Sequence, residues 1–291
     1  IRRVHAAGGM VAGSSAGAAI MSGIMIEGGT SLEAATYGVV TDPDMPGLLL
    51  RHGLGFFPWG IVDQHFIKRG RLGRLIVAMT ESGTRRGFGI DENSALFVDG
   101  GMGRVIGEFG ACILDLKGAR QDKRRRSVDN ITFGYADDGD SIDLANGRIV
   151  PGPEKRPVGS RDIAYRAAAR SLRNVFGAYT LYDLLARLVL GDPESYPSDR
   201  ARAIEPKAGV ATTIAFSRVP DSQALMFERD RDFRMTAIDF RAGMSTRKLN
   251  AKQLVENRRT ALARDYGVKP GKAARMMLLG STPLRAPALL E

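Results

Sequence analysis

Cysteine occurs once in the 291 residues, at Cys112, tryptophan once and histidine three times. A lone cysteine cannot close an internal disulfide, which points either to a reducing, cytoplasmic setting or to a fold large enough to need no staple. Every apolar run is interrupted by glycine, serine or charge before the roughly 18–20 residues that a membrane-crossing helix needs, so no membrane partner is expected. Aromatic rings are missing where cations are densest. The run "KGARQDKRRR" (117–126) offers no ring on which a base could stack, so despite a net charge of +10 it reads as a solvated loop and no nucleic-acid partner is expected. No cofactor or metal is expected either, and there is no internal repeat or low-complexity tract. With 44% hydrophobic and 25% charged residues, the composition is that of a soluble globular chain, long enough for one large domain or two moderate ones.

Short apolar strands alternate with helical stretches through the first half, the pattern of an α/β domain. Met10 to Ala12 reads as a buried strand that feeds a helix over Ala16 to Ile24. Ile61 and Val62 end a second strand, and the helical stretch from Gly70 places Leu72, Leu75, Ile76 and Met79 on one face. Phe88 to Ile90 makes a third strand. Hairpin strands follow at Ala95 to Val98, Val105 to Phe109 and Cys112 to Leu116. Pro151, Pro153 and Pro157 then mark a linker, dividing a domain over residues 1–153 from a smaller α+β domain over 158–291. In the latter the expected elements are helices over Ile163 to Phe176 and Leu181 to Leu190, strands over Val210 to Phe216, Ala224 to Phe227 and Met235 to Phe240, and a closing helix capped by Ser245 and ended by Gly267.

Two adjacent serines stand in "GGMVAGSSAGAAIMSG" (8–23). One of them could simply cap the helix that follows. Alternatively, Gly13-Ser14-Ser15-Ala16-Gly17 spells G-x-S-x-G, the strand-to-helix elbow that exposes a nucleophilic serine. Such a serine needs a base, and the choices are His5, His52 and His65. His65, in "GIVDQHF", stands at the end of a strand, where open α/β sheets place their sites. Asp91 or Glu92, in "GIDENSAL" at the end of the next strand, could orient its imidazole. The order Ser, His, acid differs from that of the α/β-hydrolases. The Ala16 amide, at the helix start, would donate to a developing oxyanion.

Together "VAGSSAGAAIMS", "IVDQHFIKRGRLGRL" and "GIDENSALFV" resemble the cyanophycinase branch of the S51 serine peptidases, over roughly residues 1–150. The resemblance implies an α/β parallel-sheet sandwich of the class I glutamine amidotransferase-like type. It makes Ser15 the nucleophile, His65 the base and Glu92 the orienting acid, with Asp63, Gln64, Arg69, Arg71 and Arg74 lining the substrate site. The family's usual threonine before the nucleophile is Ser14 here. The implied activity is hydrolysis of aspartyl peptide bonds in a cyanophycin-like polymer, a polyaspartate carrying arginine on each β-carboxyl, with release of β-aspartyl-arginine. Such a substrate presents carboxylates, which planar arginine forks suit. An aspartyl dipeptidase of the same family, or a non-catalytic binding protein on this fold, is the competing reading, and a homodimer stays open. About nine residues precede the expected elbow strand, fewer than the ten to twelve or more of one crossover unit. The resemblance therefore implies upstream strands, and a second oxyanion donor, outside this sequence.

Overall fold

A computed structural model of the chain describes residues 1–123, 126–166, 174–227, 234–254 and 256. The architecture is mixed α/β, with three sheets among the described residues. In the ten-stranded sheet, strand Ile61–Asp63 lies parallel to Arg86–Ile90, with Asp63 opposite Gly89. The sheet continues antiparallel through Ala111–Asp115, Ser127–Ala136, Met235–Lys248, Gln223–Phe227 and Lys155–Pro157. Two neighbouring parallel strands therefore release their chains at the same edge, a strand spacing of about 5 Å apart. Both expected site motifs, after Asp63 and after Ile90, leave from that edge.

Helix Leu72–Ser82 covers this part of the sheet. Leu72, Leu75, Ile76 and Met79, at helical spacing, are all buried, and the left-handed Gly83 ends the helix. Fully buried Phe66 presses onto the next strand, where a Cβ on Gly89 would come within 2.3 Å of its ring. The strand can carry only glycine there. A four-stranded antiparallel sheet of Ser94–Asp99, Met102–Gly107, Ser141–Asp143 and Arg148–Val150 accounts for the expected hairpins. Within the basic run, strand Arg120–Asp122 is exposed throughout. Among the described residues no helix is long and apolar enough to cross a membrane.

Several expected elements differ. Residues 10–12 form no strand, and Met10 is 77% exposed, because no described strand lies alongside to take their backbone hydrogen bonds. The helix expected over Ala16 to Ile24 spans only Ala16–Ala19. Ser22 is drawn instead to the sheet, where its hydroxyl accepts the Val62 amide at 2.7 Å, and the chain turns into strand Ile24–Gly28. Ser245 caps no helix. It lies within strand Met235–Lys248 opposite Ser127, and most of the helix expected after it lies outside the described residues. Ile163 to Tyr165 are not helical, and residues 167–173 of that expected helix lie outside the described residues; Thr180–Val189 is helical as the spacing predicts.

The compact units also part elsewhere than at the proline-rich segment. One comprises 1–204 with 211–247, the other 205–210 with 248–291. The physical reason is a buried polar network that spans the prolines. Asp140 accepts from the Gly152 amide (2.8 Å) and from the Thr236 hydroxyl (2.6 Å), while Lys155 Nζ donates to Thr236 (2.9 Å) and pairs with Asp140 at 3.3 Å. All three side chains are essentially inaccessible, so none could separate from the others without stranding a buried charge. In the smaller unit, the Leu249 amide donates to the Gly209 carbonyl at 2.7 Å.

Asp140→Ala should destabilise the fold by about 3–5 kcal/mol, the cost of a buried charge left without its partner. Urea unfolding of the wild type should show one transition for residues on both sides of Pro151; separate transitions would restore a domain boundary there. A second test concerns Asp137. Burial pushes its carboxyl up from the ordinary 3.8 to about 6, against the pull of Lys155. Between those values the folded chain binds more protons than the unfolded one, so this group's contribution to stability falls as pH rises through the window. The stability of the wild type relative to Asp137→Asn should therefore decline from pH 4 to 6.5; a pH-independent difference would refute the assignment.

Candidate active site

Ser15 sits at the start of the short helix Ala16–Ala19 with φ 51° and ψ −121°, a left-handed conformation rare for any residue but glycine. The turn closes tightly around it: a Cβ on Gly13 would fall 2.1 Å from the Gly17 carbonyl oxygen. Gly13 is thus required by geometry, whereas a Cβ on Gly17 would meet open space. Ser15 makes no side-chain capping bond, so the capping reading of this residue fails. Its Oγ instead lies 2.9 Å from His65 Nε2, and His65 Nδ1 lies 2.9 Å from Glu92 Oε1. Ser15 is exposed, while the His65 and Glu92 side chains are 23% and 31% accessible. The Gly17 amide is bonded to the Ser14 carbonyl at 2.8 Å, which leaves the Ala16 amide beside the serine with no acceptor among the described residues.

His65 also has a positive φ, 45°, at the head of a tight turn. Within it the Arg69 amide bonds to the His65 carbonyl (2.9 Å) and the Arg71 amide to the Phe66 carbonyl (2.9 Å). Glu92 is held at the base of the first hairpin, where Ser94 Oγ donates to its carbonyl (3.2 Å) and accepts from the Phe109 amide (2.9 Å). Of the two acids that the sequence leaves open, Glu92 faces the imidazole. Asp91 turns inward: it is 5% exposed, accepts the Lys68 amide at 3.2 Å, and burial raises its pKa. The other histidines lie elsewhere. His5 contacts the Gly9 carbonyl and the edge of Phe56, and His52 is exposed on strand Leu48–His52.

The five residues expected to line the substrate site divide. Asp63 and Arg74 do not line it: Asp63 is inaccessible and Arg74 is 5% exposed. Arg74 Nε donates to Asp63 Oδ2 at 2.7 Å, a second guanidinium nitrogen bonds Oδ1, and a third reaches the Gly29 carbonyl at 2.8 Å. An arginine in the first turn of a helix that packs on the sheet, facing an aspartate at a strand end, meets that aspartate before it can meet solvent. Gln64 is half-buried with its Oε1 unpartnered among the described residues, and its carbonyl accepts Arg71 Nη1 at 2.8 Å. Burial, then the neighbouring Arg74, lowers the Arg71 pKa to about 10. Arg69 is exposed. Sequence reasoning missed Lys68 and Tyr179: Lys68 Nζ donates to the Tyr179 hydroxyl at 3.0 Å, across 111 positions of chain. The one available signal was Lys68 standing a helical turn after His65.

The molecule is thus an α/β protein carrying a hydrogen-bonded serine, histidine and glutamate on adjoining loops, the constellation of serine-nucleophile hydrolases. The sequence model of Peptidase family S51 matches residues 1–106. The cyanophycinase of Trichormus variabilis is 42% identical over 106 residues, which cover 36% of this chain and 33% of that protein. The cyanophycinase of Synechococcus elongatus is 34% identical over 141 residues, 48% of this chain and 38% of that protein, and that of Geminocystis herdmanii 40% identical over 104 residues, 35% of each. The similarity to peptidase family S51 is carried by residues 1–106, and the chain spans about a third of the length of the curated relatives it matches.

The contrast between the arginines is testable. Arg74→Met should cost about 3 kcal/mol in chemical denaturation, the lower end of the range for a broken buried pair, because Arg71 Nη1 still lies 3.6 Å from Asp63 Oδ1, whereas Arg69→Met should stay within about 0.5 kcal/mol, as exposed positions do. Equal effects would mean that Arg74 is not the structural one of the two.

Proposed function

We propose that the chain is a serine-type peptidase that hydrolyses aspartyl peptide bonds of a cyanophycin-like polymer and releases β-aspartyl-arginine. The observation that carries this is the continuous chain of two 2.9 Å hydrogen bonds from Ser15 through His65 to Glu92. Ser15 Oγ attacks the scissile carbonyl carbon while its proton passes to His65 Nε2. Glu92 holds the Nδ1–H tautomer and stabilises the imidazolium. The Ala16 amide donates to the oxyanion of the tetrahedral intermediate. As the intermediate collapses, His65 returns the proton to the leaving amine, and the acyl group remains on Ser15. Water then attacks the ester with His65 again as base, and the second product leaves with its new carboxyl group.

For the substrate, Arg69 and Arg71 remain as carboxylate-binding groups; Gln64 stands in the same turn with its Oε1 buried. Asp63 and Arg74 support them from beneath. The relatives named above are cyanophycinases, and a substrate dense in carboxylates suits an accessible arginine followed by a half-buried one. The glutamine amidotransferase-like sandwich is the fold reading that accords with the paired parallel strands and the helix packed on them.

A fluorophosphonate probe should label Ser15 in the full chain, and Ser15→Ala should abolish labelling. Hydrolysis of a β-aspartyl-arginine polymer should fall by roughly 10⁴–10⁶ in the same variant, the usual cost of losing a triad member. A chain that turns over the polymer while lacking Ser15 would dispose of the mechanism.

A further inference from the structure

Besides Arg69 and Arg71, the turn that carries His65 holds a further cation with donors to spare, Lys68. Lys68 lies three residues after His65 in the same tight turn, and its amide donates to Asp91 Oδ1 at 3.2 Å, beside Glu92. Its ammonium donates to the Tyr179 hydroxyl at 3.0 Å and lies over that ring, 4.8 Å from the centroid. Among the described residues Lys68 enters no ion pair, and one bond to a phenol leaves two of its three N–H groups unengaged. The bond to Tyr179, and then the fields of that residue, Glu92 and Asp91, favour the charged form.

Tyr179 is itself held in place. It adopts φ 58° at the head of helix Thr180–Val189, and its amide donates to the Ile67 carbonyl at 3.2 Å. Its ring also packs against Phe109, with centroids 5.4 Å apart. Just before it, Phe176 closes on the same turn: a Cβ on Gly70 would fall 2.2 Å from the Phe176 carbonyl oxygen, and one on Gly73 would fall 2.7 Å from its ring. A flexible lysine anchored this firmly at its tip has lost the rotamer freedom that normally weakens lysine as a specific contact. Phe109, Phe176 and Tyr179 all lie beyond residues 1–106, the segment matched to the peptidase family.

We propose that Lys68 is a carboxylate-binding residue of this site and that Tyr179 is its positioning residue. Specificity toward anionic peptides is then set in part from outside the family-matched segment. This rests on the peptidase reading for the substrate's class, a peptide bearing a free carboxylate beside the scissile bond. Attraction needs no covalent step: the carboxylate replaces water on the two free ammonium donors. A guanidinium group at the same spot would be repelled.

Binding of β-aspartyl-arginine and of its arginine-amide counterpart, measured by calorimetry on the full chain, tests this without requiring turnover. The wild type should bind the acid about tenfold more tightly than the amide, the lower end of what a charge-assisted hydrogen bond contributes. Lys68→Met should lose most of that preference, Lys68→Arg should retain part of it, and Tyr179→Phe should reduce it by a few-fold. A wild type that binds acid and amide equally overturns the proposal, and so does a Lys68→Met variant that keeps the preference. Absence of fluorophosphonate labelling in the wild type would strike the peptidase reading instead, leaving the binding comparison to decide the role of Lys68 independently.

Discussion

The buried pair of Asp63 and Arg74 is the constraint on which the site depends. Asp63 is the last residue of its strand, and the Gln64 amide that follows donates to its Oδ1 at 2.9 Å. Arg74 brings the helix to the same carboxylate, while its own amide donates to Ser31 Oγ at 3.1 Å, and that hydroxyl in turn donates to the Gly70 carbonyl at 2.6 Å. Strand end, helix start and the turn between them are therefore tied at one point. His65 lies inside that loop of contacts. A buried ion pair is weak evidence for net stability, since desolvation offsets much of its attraction. Its value here is geometric: it fixes where the imidazole stands relative to the sheet edge.

Strain gathers where that fixity is used. Ser15, His65 and Asn93, the neighbour of Glu92, all hold positive φ without being glycine. Each such residue costs on the order of 1–3 kcal/mol and persists only where its surroundings over-determine it. The surroundings do so. Gly13 and Gly17 close the serine turn, Phe66 clamps the histidine turn onto Gly89, and Asn93 Nδ2 donates to Glu108 Oε2 at 2.9 Å across the hairpin base. Three loops that leave separate elements can thus hold two 2.9 Å hydrogen bonds in series, a tolerance that loops free to relax would not meet.

Legibility followed the range of the forces involved. Helix Leu72–Ser82 and the strands Ile61–Asp63 and Arg86–Ile90 were readable because burial of one face imposes a local period. His65 and Glu92 could be picked out because each follows the end of one of those two strands. What failed was long-range. A strand at Met10 to Ala12 needs a neighbour to exist as one, and the reading of Ser245 as a cap ignored the partner strand at Ser127 that claims it. The arginine cluster "KRGRLGR" reads as one surface in sequence, yet its members separate by depth. Arg69 faces water, Arg71 is half-buried and Arg74 is interior, because successive helical positions point in different directions. No local pattern could have joined Lys68 to Tyr179.

The proline-rich segment raises a related point. Proline stops regular structure locally, and a stop is easily read as a boundary, but a boundary requires that few contacts cross it. Here the segment between Asp140 and Lys155 is crossed by the most demanding contacts in the fold, because a buried carboxylate and a buried ammonium must find each other. Strand Met235–Lys248 then pairs with Ser127–Ala136, which in turn pairs with Ala111–Asp115 and, one strand further, with Arg86–Ile90. The sheet that presents Glu92 at its edge is therefore completed by strands from the far end of the chain. Since helix Thr180–Val189 also belongs to this unit and brings Tyr179 to the histidine turn, the later part of the chain supports that turn twice over, by extending the sheet beneath it and by bonding Lys68 and Ile67 within it.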